Sequence, residues 1–157
     1  MKKEYKEIKS NTVMFVREIS VSYKALDTPK IKVNVPQLVA EFVRSRIGNE
    51  SREHFSVLCI NNKNMVVGYH TASIGTVTEA IVHPREIYSV AILTGASGII
   101  VCHNHPSGDV EPSRHDIETT RRLVEAGKII GIPLVDHILV GFATDEFKSL
   151  KEMGYIP

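Results

Sequence analysis

The sequence predicts an α/β fold in which a mixed β-sheet is flanked by helices. Three observations carry this. Short apolar runs of strand length alternate with stretches of helical period along most of the 157 residues. GIIVC, at 98–102, is apolar throughout, the pattern of a strand covered on both faces. FSVLCI and MVVGYHTASIG are joined by NNKN, a hairpin signal that makes part of the sheet antiparallel. A chain of this length can bury one sizeable core, and no segment repeats at a fixed period.

The elements follow in order. Residues 1–33 read as an N-terminal extension, in which TVMFVREISVSY alternates as a strand packing on the domain and LDTPK marks a turn. Residues 34–157 form the domain. Its first element is a helix in VPQLVAEFVRSRIGN, where Leu38, Val39, Phe42, Val43 and Ile47 share a face, Pro36 lies in the first turn and Gly48 follows. The hairpin comes next, then a short strand from Val77 to Val82. A second helix starts at Pro84, aligns Ile87, Tyr88, Ala91 and Ile92, and ends at Gly95. After GIIVC and a polar loop, a third helix runs from Arg114 to Ala126 and is closed by Gly127. The strand IPLVDHILVG and a last helix from Asp145 to Met153, with Gly154 behind it, complete the chain.

Charge and composition exclude some functions and favour others. Nineteen Lys and Arg against eighteen Asp and Glu leave a formal charge of +1, so bulk electrostatics give no reason to expect DNA or a membrane surface as partner. Lys2, Lys3, Lys6 and Lys9 are balanced by Glu4 and Glu7 and read as a solvated face. MKKEYKEIKS is not followed by a continuous apolar segment, so the expectation is a cytoplasmic protein with neither signal peptide nor membrane span. Cys59 and Cys102 sit in apolar runs and read as buried thiols.

The chemistry concentrates in HNHPSGDVEPSRHD, from His103 to Asp116. In extended chain, residues i and i+2 point the same way, so His103 and His105 can aim two imidazoles at one point while Asn104 faces away. Pro106 keeps His105 out of the helical region and preserves that geometry. Two such histidines are half of a Zn²⁺ site, and Asp109, Glu111, His115 and Asp116 are candidates for the third ligand. SRHD is equally a capping box at a helix start, and PSGD equally a polar turn. Spacing alone leaves the metal and the capped loop as even alternatives. Glu53 stands at the mouth of the first central strand, where a neighbouring strand can bring it to the histidines as a proton acceptor.

H-N-H, seven residues, then S-R-H-D has the form H-x-H-x7-S-x2-D, which resembles the signature of the JAMM or MPN+ metalloprotease domain. REHFSVLCINNKN, the pair Gly75 and Thr76, VHPREIY, GIIVCHNHPSGDVEPSRHD and DHILVG resemble the bacterial RadC family of JAB domains, over roughly Val35 to Tyr155. The resemblance implies a JAB/MPN architecture, similar to that of cytidine deaminases, and one Zn²⁺ per chain held by His103, His105 and Asp116. It implies Glu53 as the general base and Ser113 as the holder of the oxyanion, in a zinc-dependent metallopeptidase that hydrolyses an amide or isopeptide bond of a protein or peptide. Longer RadC proteins carry an N-terminal helix-hairpin-helix region, whereas the first 30 or so residues here lack its Gly-rich hairpins, so a short form of the family is expected. The alternative function is a non-enzymatic module associated with DNA repair or recombination, its metal structural. A homodimer is compatible with either. A zinc deaminase is disfavoured because its H-x-E and P-C-x-x-C pattern is missing.

Asp136 and His137 are adjacent in a strand, so they face opposite sides and cannot share one metal. They either support the site from behind or form a structural hydrogen-bonded pair. His54, His70, His83 and His115 read as structural or exposed.

Overall fold

A computed structural model describes residues 20, 22–26, 31–75 and 82–157. The strand expected over 12–23, the LDTPK turn and the strand expected over 77–82 fall, but for a few residues, outside these. The described elements are α1 (Pro36–Ile47), β1 (His54–Ile60), β2 (Val66–Ile74), α2 (Pro84–Leu93), β3 (Gly98–His105), α3 (Arg114–Ile130), β4 (Leu134–Gly141) and β5 (Phe147–Ser149). The strands form one mixed sheet in the order β2-β1-β3-β4-β5, with β3 and β4 parallel and the other neighbours antiparallel. This is the α/β class that the alternating pattern predicts.

Helices cover both faces, and the strands sort their side chains accordingly. Phe55, Val57 and Cys59 of β1, Ile99 and Val101 of β3 and Leu139 of β4 join Ile87, Tyr88, Ala91 and Leu123 on the α2/α3 side. Leu58, Ile100, Cys102, Ile138 and Val140 join Val39, Ala40, Phe42, Val43 and Ile47 on the α1 side. Each fully buried aliphatic side chain contributes about 1.5–3 kcal/mol, so a one-residue slip of β3 would exchange two whole sets of contacts. Leu38 and Ile92, expected on buried helix faces, are exposed at the edges of those faces. Cys59 and Cys102 are free and buried, and burial raises both thiols, Cys102 well above its ordinary value.

The turns are built as the residues require. In the hairpin the Asn61 carboxamide accepts from the backbone of Lys63 and Met65, and Asn64 takes the left-handed φ of 56° that asparagine tolerates. At the other end of the molecule the expected helix over 145–153 is instead the short strand β5 followed by a tight turn. The buried Asp136 carboxylate decides this. It accepts from Ser149 Oγ at 2.7 Å and from the Lys151 backbone at 3.1 Å, which fixes the segment beside β4 and turns it away. Burial still leaves the Asp136 pKa raised, the hydrogen bonds offsetting only part of its desolvation.

α3 also departs from expectation, by its length. It runs through Gly127 to Ile130 and closes at Gly131, whose φ of 80° is the left-handed cap. Gly127 is instead a packing glycine, because a Cβ there would lie 2.5 Å from Tyr88 Oη and 2.7 Å from the Ile132 carbonyl. Tyr88 Oη in turn donates to the Leu123 carbonyl at 2.8 Å and locks α2 to α3, and burial pushes its phenol up to about 12. In an open helix interior, Gly→Ala stabilises by about 1 kcal/mol. Gly127→Ala is expected to reverse that sign and destabilise by about 1–3 kcal/mol through overpacking, read as a lower urea midpoint at unchanged slope.

Candidate metal centre

β3 does not stop at Cys102. It stays paired through His105, with Phe55↔His103 on β1 and His103↔Leu139, Asn104↔Val140 and His105↔Gly141 on β4. The two histidines therefore keep the extended geometry and their Nε2 atoms come within 2.8 Å of each other. Asp116 reaches the same point from the first turn of α3, its Oδ1 3.1 Å from His103 Nε2 and its Oδ2 3.6 Å from His105 Nε2. Ser113 caps that helix. Its Oγ accepts from the Asp116 backbone at 3.2 Å, and Asp116 Oδ2 accepts from the Ser113 backbone at 2.7 Å. The cap and the convergent group of candidate ligands, alternatives on spacing, are compatible and occur together.

The other third-ligand candidates have different duties. The Asp109 carboxylate accepts from the Glu111 backbone, while its carbonyl oxygen lies 2.5 Å from His105 Nδ1. Glu111 pairs with Lys148 at 2.8 Å, and His115 is exposed. Glu53 reaches the site from the end of β1. It lines, with Phe55, Val82, His103, His115, Asp116 and Thr119, a cavity of about 20 Å³, room for about one water. Of the remaining histidines, His83 caps α2 through Nδ1 and His54 stands 3.7 Å from Glu50.

Among the described residues, one ligand atom from each of His103, His105 and Asp116 lies within 4.8 Å of the others. The donor chemistry fits a cation. A carbonyl oxygen only accepts, so the 2.5 Å contact with Asp109 requires the proton of neutral His105 to be on Nδ1 and leaves a lone pair on Nε2. Burial alone would raise the Asp116 carboxyl, but the adjacent imidazoles of His103 and His105 and the Ser113 hydroxyl hold it well below the usual carboxylate range. Burial likewise opposes a charged His105, yet Asp116, the Asp109 carbonyl and Glu53 together raise its pKa. Nitrogen lone pairs and an ionised carboxylate converge where positive charge is favoured, a donor set that could hold a metal ion.

Residues 33–155 match the family described as RadC-like JAB domain. The chain belongs to this family. It is 47% identical over 130 residues to a UPF0758 protein of Staphylococcus carnosus, covering 83% of this chain and 56% of that protein. It is 46% identical over 127 residues to a UPF0758 protein of Desulforamulus reducens, covering 81% and 55%. The chain thus spans about half the length of the curated relatives it matches. The mixed sheet with its three helices agrees with the JAB fold, and the family with the His-His-Asp group is compatible with a metal-dependent hydrolase. None of the helices among the described residues is long and apolar enough to cross a membrane.

Within this JAB domain three buried residues, Asn104, Thr120 and His137, frame the site; the sequence offered His137 as possible support from behind and gave neither Asn104 nor Thr120 a part in it. Asn104 faces away from the ligands as expected, but its amide donates to the Glu50 and Arg52 carbonyls at 3.1 and 3.0 Å and accepts from the His54 backbone at 2.7 Å. It clamps the chain on both sides of Glu53. His137 Nε2 lies 2.9 Å from His103 Nδ1, and its Nδ1 lies 2.7 Å from Thr120 Oγ1. Adjacent Asp136 points the other way and ties β5, so the DH pair divides between site and scaffold.

The RadC-like JAB domain is expected to take up about one divalent metal ion per chain, the count that one group of three candidate ligands allows. His105→Ala and Asp116→Ala should each lose it, and Glu53→Ala should retain it, by elemental analysis of chelator-washed protein. Metal retention in both ligand variants would refute the assignment.

Proposed function

We propose that the chain is a zinc-dependent metallopeptidase of JAMM type that hydrolyses an amide or isopeptide bond. The observation that carries the reading is the placement of Glu53: a carboxylate outside the ligand group lines the same one-water cavity as His103 and Asp116. His103, His105 and Asp116 would hold the ion. When bound, zinc supplies Lewis acidity towards a carbonyl oxygen and lowers the pKa of a water molecule.

The chain's own residues do the proton work. Glu53 accepts a proton from the water as its oxygen bonds to the carbonyl carbon, then gives that proton to the amine nitrogen as the C–N bond breaks. Water is consumed and an acid and an amine leave. Asn104 keeps Glu53 at the cavity by fixing the backbone on either side of it. Phe55, stacked on His103 with ring centroids 5.7 Å apart, screens the ligands from bulk water on the sheet side.

Ser113 has two tasks to reconcile. Its hydroxyl donates to Asp116 Oδ2 at 2.6 Å, so it orients the ligand in this arrangement, and holding a substrate oxyanion requires the hydroxyl to turn. Ser113→Ala separates them: loss of metal affinity at unchanged kcat marks the ligand-orienting task, and loss of kcat at full zinc occupancy marks the oxyanion task. Cleavage is scored by mass spectrometry of proteome-derived peptides and of isopeptide-linked peptides incubated with zinc-loaded protein. Glu53→Gln is expected to keep its zinc while losing cleavage by about 10²–10⁴-fold. Equal cleavage by wild type and Glu53→Gln would overturn the reading.

A further inference from the structure

The second nitrogen of each ligand histidine decides whether its first can bind metal. For His105 the partner is a peptide carbonyl. For His103 it is another imidazole, that of His137, which is fully buried and whose protonation must itself be specified from behind.

The hydrogen-bond directions can be traced. The Asp116 backbone carbonyl only accepts, so the 2.6 Å contact from Thr120 Oγ1 uses the one proton that hydroxyl owns. Thr120 Oγ1 must then accept from His137 Nδ1 at 2.7 Å. A neutral His137 protonated at Nδ1 has a bare Nε2, and this atom faces His103 Nδ1 at 2.9 Å. His137 is fully buried, an environment that favours the neutral ring. His103 therefore carries its proton on Nδ1, and its Nε2 lone pair points to His105 and Asp116.

We propose that His137 and Thr120 are positioning residues that lock His103 in its metal-binding tautomer through a one-way chain of hydrogen bonds ending on the backbone of the third ligand. The chain begins at the strand that presents His103 and ends at the helical turn that presents Asp116, so both candidate ligands are set by one network. Its terminus is a carbonyl with no proton to give, so the network holds tautomers and does not conduct protons to solvent. Phe55 closes it off, edge-on to His137 with centroids 5.5 Å apart. The acceptor is a neutral ring where such ligands often use a carboxylate, so His103 gains orientation without added negative charge.

This inference rests on the metal-centre reading, and its test separates the two. Long-range ¹H–¹⁵N correlation of histidine-labelled wild-type protein, with and without zinc, should find His137 protonated at Nδ1 alone. A coupling across the hydrogen bond should link its Nε2 to His103 Nδ1. A proton on His137 Nε2 overturns the lock, whatever the metal does. In chelator competition, His137→Phe should bind zinc about 10–100-fold more weakly, Thr120→Val should also weaken it, and His137→Gln, whose amide oxygen can accept from His103 Nδ1, should recover part of the loss. Wild-type affinity in both His137→Phe and Thr120→Val also overturns it. If His137→Phe does not fold, the wild-type spectrum and Thr120→Val still decide. Wild-type protein that binds no zinc removes the metal-centre reading, and the nitrogen spectrum then judges the lock by itself.

Discussion

β3 is paired on both edges as far as His103, with β1 on one side and β4 on the other, and β4 continues the pairing through His105. That double pairing holds HNH extended, and extension sorts the three side chains. His103 and His105 turn towards the α3 side with Val101, and Asn104 turns to the opposite face with Cys102. The same pairing puts His137 behind His103 and the start of β1 beside it, so the chain around Glu53 comes within reach of the Asn104 amide. A local bend in β3 would dismantle all of these at once.

The electrostatics of the cluster follow from this rigidity. Bringing a carboxylate and two imidazole nitrogens into a mostly buried corner is unfavourable unless every other polar atom there is satisfied. The network meets that demand: Asp109 serves His105, His137 serves His103, and Ser113 serves Asp116 through both its backbone and its hydroxyl. What is left unmatched is negative potential at one point, and the raised His105 pKa shows it as an affinity for a proton. A metal ion would answer the same potential with more charge and firmer geometry.

Much of this is legible in the sequence. The α/β alternation, the hairpin, the extended HxH pair and the Ser113 to Asp116 spacing all depend on short-range geometry, which local pattern encodes well. The failures depend on contacts distant in sequence. Gly127 looks like a helix end because its close neighbour Tyr88 belongs to another helix. Phe147, Leu150 and Met153 have helical spacing, yet Asp136, a strand away, captures Ser149 and Lys151 and makes a strand and turn of them. His137 shows only a parity in the sequence: it faces opposite to Asp136, and that parity excludes a shared metal without saying which of the two approaches the site. Asn104 carried a signal that was read only in part. A polar residue at an inward position of a buried strand needs partners, and those partners flank Glu53.

The Asp116 carboxylate shows how a capping residue can also be a candidate metal ligand. Its Oδ2 accepts from the Ser113 backbone, as a capping box requires at the third helical position, and also from the Ser113 hydroxyl, and its Oδ1 is left facing His103 Nε2. A carboxylate has two oxygens with separate directions, so the cap fixes the side-chain torsions through one and thereby aims the other. Asparagine at this position could keep an oxygen on the cap only by turning its NH₂ towards the histidine lone pairs, and glutamate would carry the second oxygen a methylene further. The aspartate's negative charge also lies at the positive end of α3, which stabilises its ionised form. The helix start is thus the part of the fold that makes the third ligand both anionic and immobile, and it does so with the interactions that begin the helix.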